Sequence, residues 1–293
     1  MESFHLNGAC VMQENAGQDR PGIVAPRPYL HPIRTMTGVG LTEAAPEDHP
    51  HHLGLSLAFS DLNGSNFWGG STYTQNGPEI LPNHGRQIPS GWEHRAGHTE
   101  AGSAEGTITW ISHSNEAVAN EQRSYLYQEH PVPNTWSLSF TSVIRPAGSV
   151  EQLSVSSSAV KGRAGAGYGG IFWRFPAGDA PAHVLCSSGA GAGAAHGSLS
   201  PWLVVGLRHQ GQDASVILAQ DSSQLRPWFV RTGGYIGAGP AVAWDRAASA
   251  DRDNPLILSL HAVIHDGAVS TSSHAQELLQ QHFHFSNSPD RTP

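Results

Sequence analysis

Lysine is almost absent from this sequence: Lys161 is the only one in 293 residues. Catalysis through a lysine Schiff base is therefore nearly excluded. The two cysteines, Cys10 and Cys186, are too few for the disulfide framework of a small secreted protein. No apolar run approaches the roughly 18 residues of a membrane-spanning helix, and the N-terminus has no basic segment followed by an apolar one. We therefore expect a cytoplasmic protein without a membrane partner.

Positive charge is scarce overall, because the formal net charge is −8. Binding to nucleic acid needs a basic face, so no nucleic-acid partner is expected. The 33 glycines and 20 prolines disfavour a helical bundle, since both residues interrupt helices. Disorder is also excluded, because 8 tryptophans and 38% hydrophobic residues supply a packed core. What is abundant is histidine, with 18 residues, the type suited to proton transfer and metal binding near neutral pH.

The chain reads as short extended segments separated by turn residues. In WSLSFTSVI, for example, Trp136, Leu138 and Phe140 alternate with polar residues, as in a half-buried strand. Only SHAQELLQQHF predicts a helix, and no βαβ rhythm appears. The sequence predicts an all-β fold, one large antiparallel two-sheet sandwich over residues 27–293. Residues 1–26 are expected to be a lead-in, either a peripheral strand or a mobile segment, and residues 187–198 a flexible loop.

The densest histidine cluster is EDHPHHLGLS, which contains Asp48, His49, His51 and His52. Pro50 makes a helix improbable here. In an extended segment, His49 and His51 face one way and Asp48 and His52 the other. Imidazoles beside a carboxylate are typical of general acid–base catalysis. The alternative is that these histidines only cap a turn and bond to its backbone.

A divalent metal is the rival interpretation of the same cluster. His49 and His51 could be completed by His84 and Glu121 from elsewhere in the fold, since imidazole and carboxylate both suit zinc, iron and manganese. However, the first acid after His51 is Asp61, and no recurring ligand spacing is present. We expect no cofactor and no tightly bound metal, with metal-dependent catalysis as the alternative.

A second cluster, DLNGSNFWGG, contains Asp61, Asn63, Asn66 and Trp68. Carboxamides and a carboxylate beside an indole suit a sugar, whose hydroxyls need polar partners and whose C–H face stacks on aromatic rings. The alternative is an Asn-Gly turn with a tryptophan in the core. The short segment LGLSLAFS joins the two clusters, so we expect both to border one pocket.

The remaining candidates are weaker and stand in separate motifs. His84 and Glu121 are added to the catalytic candidates Asp48, His49, His51 and His52. Four more residues are added to the substrate-binding candidates of the second cluster: Arg34, Arg86, Trp228 and Arg231.

Seven motifs together resemble a bacterial family known as PmoA-like, in its actinobacterial form, which is also described as a domain of unknown function. They are RPYLHPIRT, DHPHHLGLS, DLNGSNFWGG, NHGR, GRAGAGYGGIFWR, HGSLSPW and PWFVRTGGYIGAGP, and they run from about Arg27 to about Gly267. The family label refers to methane oxygenase. We regard that label as a misnomer here, because the genuine methane mono-oxygenase subunit crosses the membrane several times and this chain has no such span. The segment NHGRQIPSGWEHRAG is longer than the resemblance implies, which leaves His94 and His98 as alternatives for a second histidine.

The resemblance implies a role in carbohydrate catabolism, because members occur beside sugar dehydrogenase-type enzymes and sugar-uptake functions. The length and strand number are similar to those of the galactose-mutarotase supersandwich. We therefore expect an enzyme of the epimerase, lyase or hydrolase type, acting on a sugar or an oxidised sugar derivative, with that sugar as its small-molecule partner. A carbohydrate-binding or sensing module without catalysis is the alternative from another class.

Overall fold

Two large antiparallel sheets form the molecule, as seen in a computed structural model that describes residues 1–96 and 100–281. The strands are numbered in chain order. The seven-stranded sheet has the order β1 (Glu2–Leu6), β2 (Ala9–Asn15), β3 (Tyr29–Ile33), β4 (Leu55–Ala58), β13 (Gly170–Phe175), β19 (Ile236–Pro240), β18 (Trp228–Arg231).

The nine-stranded sheet lies against the first. Its order is β15 (Gly189–Ala190), β14 (His183–Cys186), β16 (Trp202–His209), β17 (Gln212–Ala219), β21 (Leu256–Asp266), β11 (Thr135–Pro146), β10 (Ala117–Glu129), β9 (Ala101–Ile111), β8 (Arg86–Ala96). Every pairing in both sheets is antiparallel.

Smaller elements close the ends of the sandwich. One small sheet contains β20 (Ala248–Asp251), β12 (Gln152–Ser156) and β5 (Asp61–Leu62), and β6 (Thr72–Thr74) pairs with β7 (Gly77–Glu79). The helices are α1 (Ala192–Ala195) and α2 (Ser272–Gln280), with 3-10 turns at Gly22–Val24 and Ser222–Gln224. Within the part of the chain that the structure describes, no helix is long and apolar enough to cross a lipid bilayer.

The core lies between the sheets and is built by alternation along the strands. In β11, Trp136, Leu138 and Phe140 are buried and belong to the main core cluster, which confirms the predicted strand. In β13, Trp173 packs in that core while Phe172 joins a separate cluster on the opposite face. The all-β sandwich is thus confirmed, and it follows from the period of two in strand side chains.

The predicted helix near the C-terminus is present as α2. Thr271 caps its N-terminus by accepting a hydrogen bond from the His274 N–H at 3.3 Å. Ala275, Leu278 and Leu279 are buried against the nine-stranded sheet. The helix therefore covers part of that sheet's outer face.

Within residues 1–26, the segment expected to be a lead-in, residues 2–15 belong to the seven-stranded sheet. β1 and β2 form its edge hairpin, and Phe4, Leu6 and Val11 are at most 1% exposed in the core. Of the two alternatives, a peripheral strand describes this segment. Residues 187–198 also differ from expectation, because they form β15 and α1 with Ala195 buried. The small side chains of this segment allow a close helical turn instead of a flexible loop.

Candidate functional site

A cleft of about 160 Å³ opens on the outer face of the seven-stranded sheet, and we call it the histidine cleft. Its walls come from the loop before β4, the loop after β5, the loop between β12 and β13, β18, and the turn between β18 and β19. It is lined by His49, His51, His52, Trp68, Arg163, Ala166, Tyr168, Phe229, Arg231 and Tyr235. Hollows of about 610 and 550 Å³ on the nine-stranded sheet are larger, but they contain no histidine.

Residues 46–52, which we call the histidine segment, form tight turns. The His49 N–H donates to the Pro46 carbonyl at 3.1 Å, and the His52 N–H donates to the His49 carbonyl at 2.9 Å. Pro50 thus occupies the second position of a β-turn, the position that its fixed φ favours. The expectation of an extended segment with His49 and His52 on opposite faces is wrong. Instead, the ring of His52 lies 4.8 Å from that of His49 and 4.7 Å from that of His51.

Asp48 and His49 form a carboxylate–imidazole pair at the mouth of the cleft. The Asp48 Oδ2 lies 2.8 Å from the His49 Nδ1, and the His49 side chain is 33% exposed. This hydrogen bond holds the pKa of Asp48 below its usual value. The turn therefore brings together two side chains that strand geometry would have separated. With Nδ1–H donated to the carboxylate, Nε2 is left free to accept a proton.

His52 is the most enclosed of the cleft histidines, at 3% exposure. Its ring lies 4.8 Å from that of Tyr235, 5.7 Å from that of Phe172 and 5.8 Å from that of Trp68. Burial lowers the pKa of His52 to about 2, with a further contribution from His51. Burial and the nearby Arg27 lower the pKa of His51 to about 4. Both imidazoles are therefore neutral at neutral pH.

We expect the neutrality of His52 to make the protein less stable in acid. The unfolded chain binds a proton at His52 once the pH falls below about 6.5, whereas the folded chain does not until about pH 2. The free energy of unfolding should thus fall by up to about 1.4 kcal/mol per pH unit between pH 6 and 4 on account of this residue. Urea denaturation of wild type and His52→Phe across this range measures the difference. Parallel pH dependences of the two proteins would contradict the expectation.

Arg27 ties the cleft loops together, and sequence reasoning missed it. Its side chain is buried and, among the residues that the structure describes, contacts no carboxylate. It donates to the carbonyls of Val24, Ala25, His51 and Trp68 at 2.8–3.2 Å and to the Ser56 Oγ at 3.1 Å. Burial lowers the pKa of Arg27 to about 9, and Arg123 adds to the effect. Its only signal in the sequence is its place in RPYLHPIRT, the motif that also contains the predicted binding residue Arg34.

The second predicted cluster reaches the cleft through Trp68 and the glycines after it. The Asn66 Oδ1 accepts from the N–H groups of Trp68 and Gly69, both at 2.9 Å. The His84 Nε2 donates to the Gly70 carbonyl at 2.7 Å. A β-carbon on Gly70 would lie 2.9 Å from the His51 ring, and its φ is +66°. Asn66 and His84 thus shape the loop that supports His51, without lining the cleft.

Asp61 and Asn63 lie outside the cleft and hold a turn. Asp61 pairs with the single lysine, Lys161, at 2.6 Å and accepts from the Gly64 N–H at 2.8 Å. Asn63, whose φ of +48° is left-handed, accepts from the Ser154 N–H at 2.6 Å. Their geometry is that of the Asn-Gly turn given as the alternative.

Glu121 belongs to a buried network between the sheets and does not line the cleft. Its carboxylate receives the Arg123 guanidinium at 2.7 and 2.9 Å, the Trp110 indole N–H at 2.8 Å and the Ser142 hydroxyl at 2.8 Å. All of its strong acceptor positions are thus occupied by core groups. The expectation that Glu121 reaches the histidines is wrong, because its position on β10 directs it into the core.

Three of the other four binding candidates also lie elsewhere. Arg34 donates to the Gly38 carbonyl at 3.3 Å, and Arg86 to the Asn115 Oδ1 at 2.9 Å. Trp228 is buried in the main core, where its indole donates to the Ser200 carbonyl at 2.7 Å. Arg231 does line the cleft. Trp228 and Arg231 stand three positions apart on β18, so alternation places them on opposite faces.

Five further residues complete the cleft and were not predicted: Arg163, Ala166, Tyr168, Phe229 and Tyr235. The signal was present in the glycine-rich motifs that contain or border them. A β-carbon on Gly167 would lie 2.8 Å from the Trp244 ring, so the loop can pack there only as glycine. Close packing of these loops sets the neighbouring aromatic rings into the cleft wall, with the Tyr168 ring 4.8 Å from that of Trp68.

The proposed metal ligands do not converge. Within residues 1–96 and 100–281, no group of three histidine, cysteine, aspartate or glutamate side chains is placed to hold a metal ion. His94, on β8, lies 3.5 Å from Glu2 and packs against Phe4, while His98 falls outside the described residues.

Comparison with known proteins identifies a family but no activity. The model of a family of unknown function, DUF6807, matches residues 3–280. No curated protein and no solved structure matches the chain. The expected membership of the PmoA-like family is therefore wrong, and the carbohydrate role implied by that resemblance loses its support from relatives. The chain belongs to DUF6807, a family whose function is unknown.

Proposed function

We propose that the protein is an enzyme that moves a proton on a small sugar or oxidised sugar derivative, with His49 as the acid–base group. The observation that carries the proposal is the Asp48–His49 pair at 2.8 Å, placed at the mouth of an aromatic cleft. Histidine as a residue type both accepts and donates protons near neutral pH. A carboxylate on Nδ1 orients the ring and favours the tautomer whose Nε2 acts as a base.

The aromatic wall supports a sugar as the ligand. The rings of Trp68, Tyr168, Phe229 and Tyr235 line the cleft, and aromatic rings stack on the C–H faces of sugars. Burial raises the pKa of Tyr235 to about 12, so its phenol is a neutral hydrogen-bond donor. The volume of about 160 Å³ lies below the roughly 300 Å³ of typical ligand pockets. The cleft therefore suits a monosaccharide-sized ligand or one end of a longer one.

Proton abstraction beside a carbonyl is the reaction that this arrangement supports best. The His49 Nε2 takes the proton, and the C–H electron pair moves into the carbonyl to give an enolate. The His49 imidazolium then gives the proton back: delivery to the opposite face, after the enolate has turned over in the cleft, gives an epimer, and delivery to a neighbouring hydroxyl, which leaves as water, gives elimination. Hydrolysis is the third outcome that the same group serves, with His49 activating water. We propose that the side chains act without a cofactor, so activity should persist after chelation.

A binding or sensing module is the second candidate, favoured by one observation. No carboxylate is among the residues that line the cleft, and Asp48 contacts it only through His49. Many glycan-processing sites use paired carboxylates, and that pair is missing from this wall.

For the location of the protein, we propose a reducing compartment such as the cytoplasm, since Cys10 and Cys186 are both free.

Proton exchange in heavy water tests the proposal. The protein is incubated in D₂O with aldoses, ketoses, uronates, aldonates and keto-sugar acids, and proton NMR follows the loss of each C–H signal and any new product. We expect exchange or conversion of at least one compound with wild type and none with His49→Gln. Saturation-transfer contacts to a compound that stays unchanged would support the binding module instead. Exchange that is equal in wild type and His49→Gln would contradict the role of His49.

A further inference from the structure

Positive charge gathers at the histidine cleft, although the whole chain carries a net charge of −8. Arg163 and Arg231 line the cleft, and no aspartate or glutamate of the described residues does; Asp48 lies at its mouth, paired with His49. Arg27 lies beneath His51, with its guanidinium bonded to the His51 carbonyl at 2.8 Å and without a carboxylate partner. A concave site with low-dielectric walls and charges of one sign concentrates ions of the opposite sign.

Neither cleft arginine, Arg163 or Arg231, forms an ion pair with a carboxylate of the described residues. The guanidinium of Arg231 lies 5.6 Å above the ring of Phe229. Stacking of this kind holds the guanidinium plane while its N–H edge stays open to a ligand. Both side chains are thus unpaired cations at the entrance of a cleft.

Unpaired polar atoms also occur on His52, which lines the cleft, and on Arg174, which does not. The Nδ1 of His52 has no hydrogen-bond partner, although the residue is only 3% exposed. Behind it, Arg174 is 4% exposed, and its guanidinium lies 4.8 Å from the centre of the Tyr235 ring. The Arg174 Nη2 donates to the Glu43 carboxylate at 2.7 Å, whereas the Arg174 Nε and Nη1 have no partner. Buried donors are nearly always satisfied, so these atoms leave unmet hydrogen-bonding capacity at and behind the cleft wall.

We propose that the histidine cleft binds an anionic ligand, a sugar acid whose carboxylate is held by Arg163 and Arg231. This inference rests on the proposed function and narrows its substrate to the acidic members of that class. The guanidinium fork matches a carboxylate with two parallel hydrogen bonds. The same cations would stabilise the negative charge that develops when the His49 Nε2 removes a proton beside the carboxyl or keto group. The aromatic wall then receives the remainder of the sugar.

Matched ligand pairs test the charge requirement directly. D-Glucuronate is compared with D-glucose, D-gluconate with D-sorbitol, and pyruvate with acetone, each against the full-length protein by calorimetry and by thermal unfolding. We expect at least one carboxylate to bind, with its neutral counterpart about tenfold weaker or undetectable. Arg163→Gln and Arg231→Gln should each weaken carboxylate binding by about tenfold. Arg208→Gln is the control, because Arg208 is exposed and pairs with Asp213 at 3.5 Å.

Each outcome decides for or against the anion site separately from the catalytic role. Binding of neutral sugars as tight as that of the acids would overturn it, as would carboxylate binding that survives Arg163→Gln/Arg231→Gln unchanged. Failure of every carboxylate in the panel to stabilise wild type more than this double variant would overturn it as well. Proton exchange by wild type, with selective carboxylate binding but no exchange by His49→Gln, supports the anion site and the enzyme together. Selective binding by wild type without proton exchange on any compound supports the anion site and contradicts the enzyme.

Discussion

Replacing Glu121 by glutamine is expected to lower the free energy of unfolding by about 3–5 kcal/mol. The side chains of Glu121 and Arg123 are both 0% exposed, and the carboxylate receives the guanidinium at 2.7 and 2.9 Å. Removal of one charge leaves the other buried without compensation, which costs more than the pair contributes as a unit. Urea denaturation followed by circular dichroism measures the change.

Two comparison variants separate the cost of burial from the loss of an ion pair as such. Asp213→Asn breaks the exposed pair with Arg208 and should cost less than about 1 kcal/mol. Glu121→Leu/Arg123→Met removes both buried charges and should be more stable than Glu121→Gln. A Glu121→Gln protein that unfolds within 1 kcal/mol of wild type would contradict this account. If Glu121→Gln stayed folded and lost turnover, the result would support a catalytic role for Glu121, against the argument from its burial.

Replacing His49 by glutamine is expected to lower turnover by about 10²–10⁴-fold, the range typical of a general acid–base residue. The side chain is 33% exposed, so the variant should keep its fold and its ligand affinity. The rate is measured on the compound that shows the fastest exchange in D₂O. Asp48→Asn should lose less turnover than His49→Gln, because the amide still contacts the His49 ring but no longer stabilises its protonated form.

The control for this loss is His5→Gln, since His5 is exposed on β1 and does not line the cleft. Its turnover should equal that of wild type. Rates for His49→Gln that match those of His5→Gln would remove His49 from the mechanism. A parallel loss of thermal stability in His49→Gln would instead indicate that the histidine segment mainly holds its turn.

The elements that the sequence predicted correctly are those whose signal is local. The alternation of β11 and the helical pattern of α2 are each contained in about a dozen consecutive residues. Strand and helix periods act within such a window, so no knowledge of distant partners is needed. The prediction that the histidine segment is extended was wrong, because it assumed the geometry of a regular strand. The direction of this segment is set by the turn at Pro50, which extended-strand geometry does not describe.

Long-range partners decided the rest of the site and could not be read from spacing. Arg27 meets Trp68 across 41 positions, and Arg123 meets Gln87 across 36. Glu121 and Arg123 are two positions apart on β10, and their burial follows from the packing of β10 against the other sheet. Only the fold shows which of several similar charged residues are enclosed.

The single guanidinium of Arg27 makes opening of the cleft an all-or-none event. Four carbonyls from three separate segments share its donors. If one segment moved away, the others would be left around a buried charge with fewer acceptors, and water cannot reach it at 2% exposure. The backbone amide hydrogens of the histidine segment and of the loop at Trp68 should therefore exchange with solvent as one cooperative unit, together with the strands around them. Independent fluctuations of the two loops should not account for their exchange.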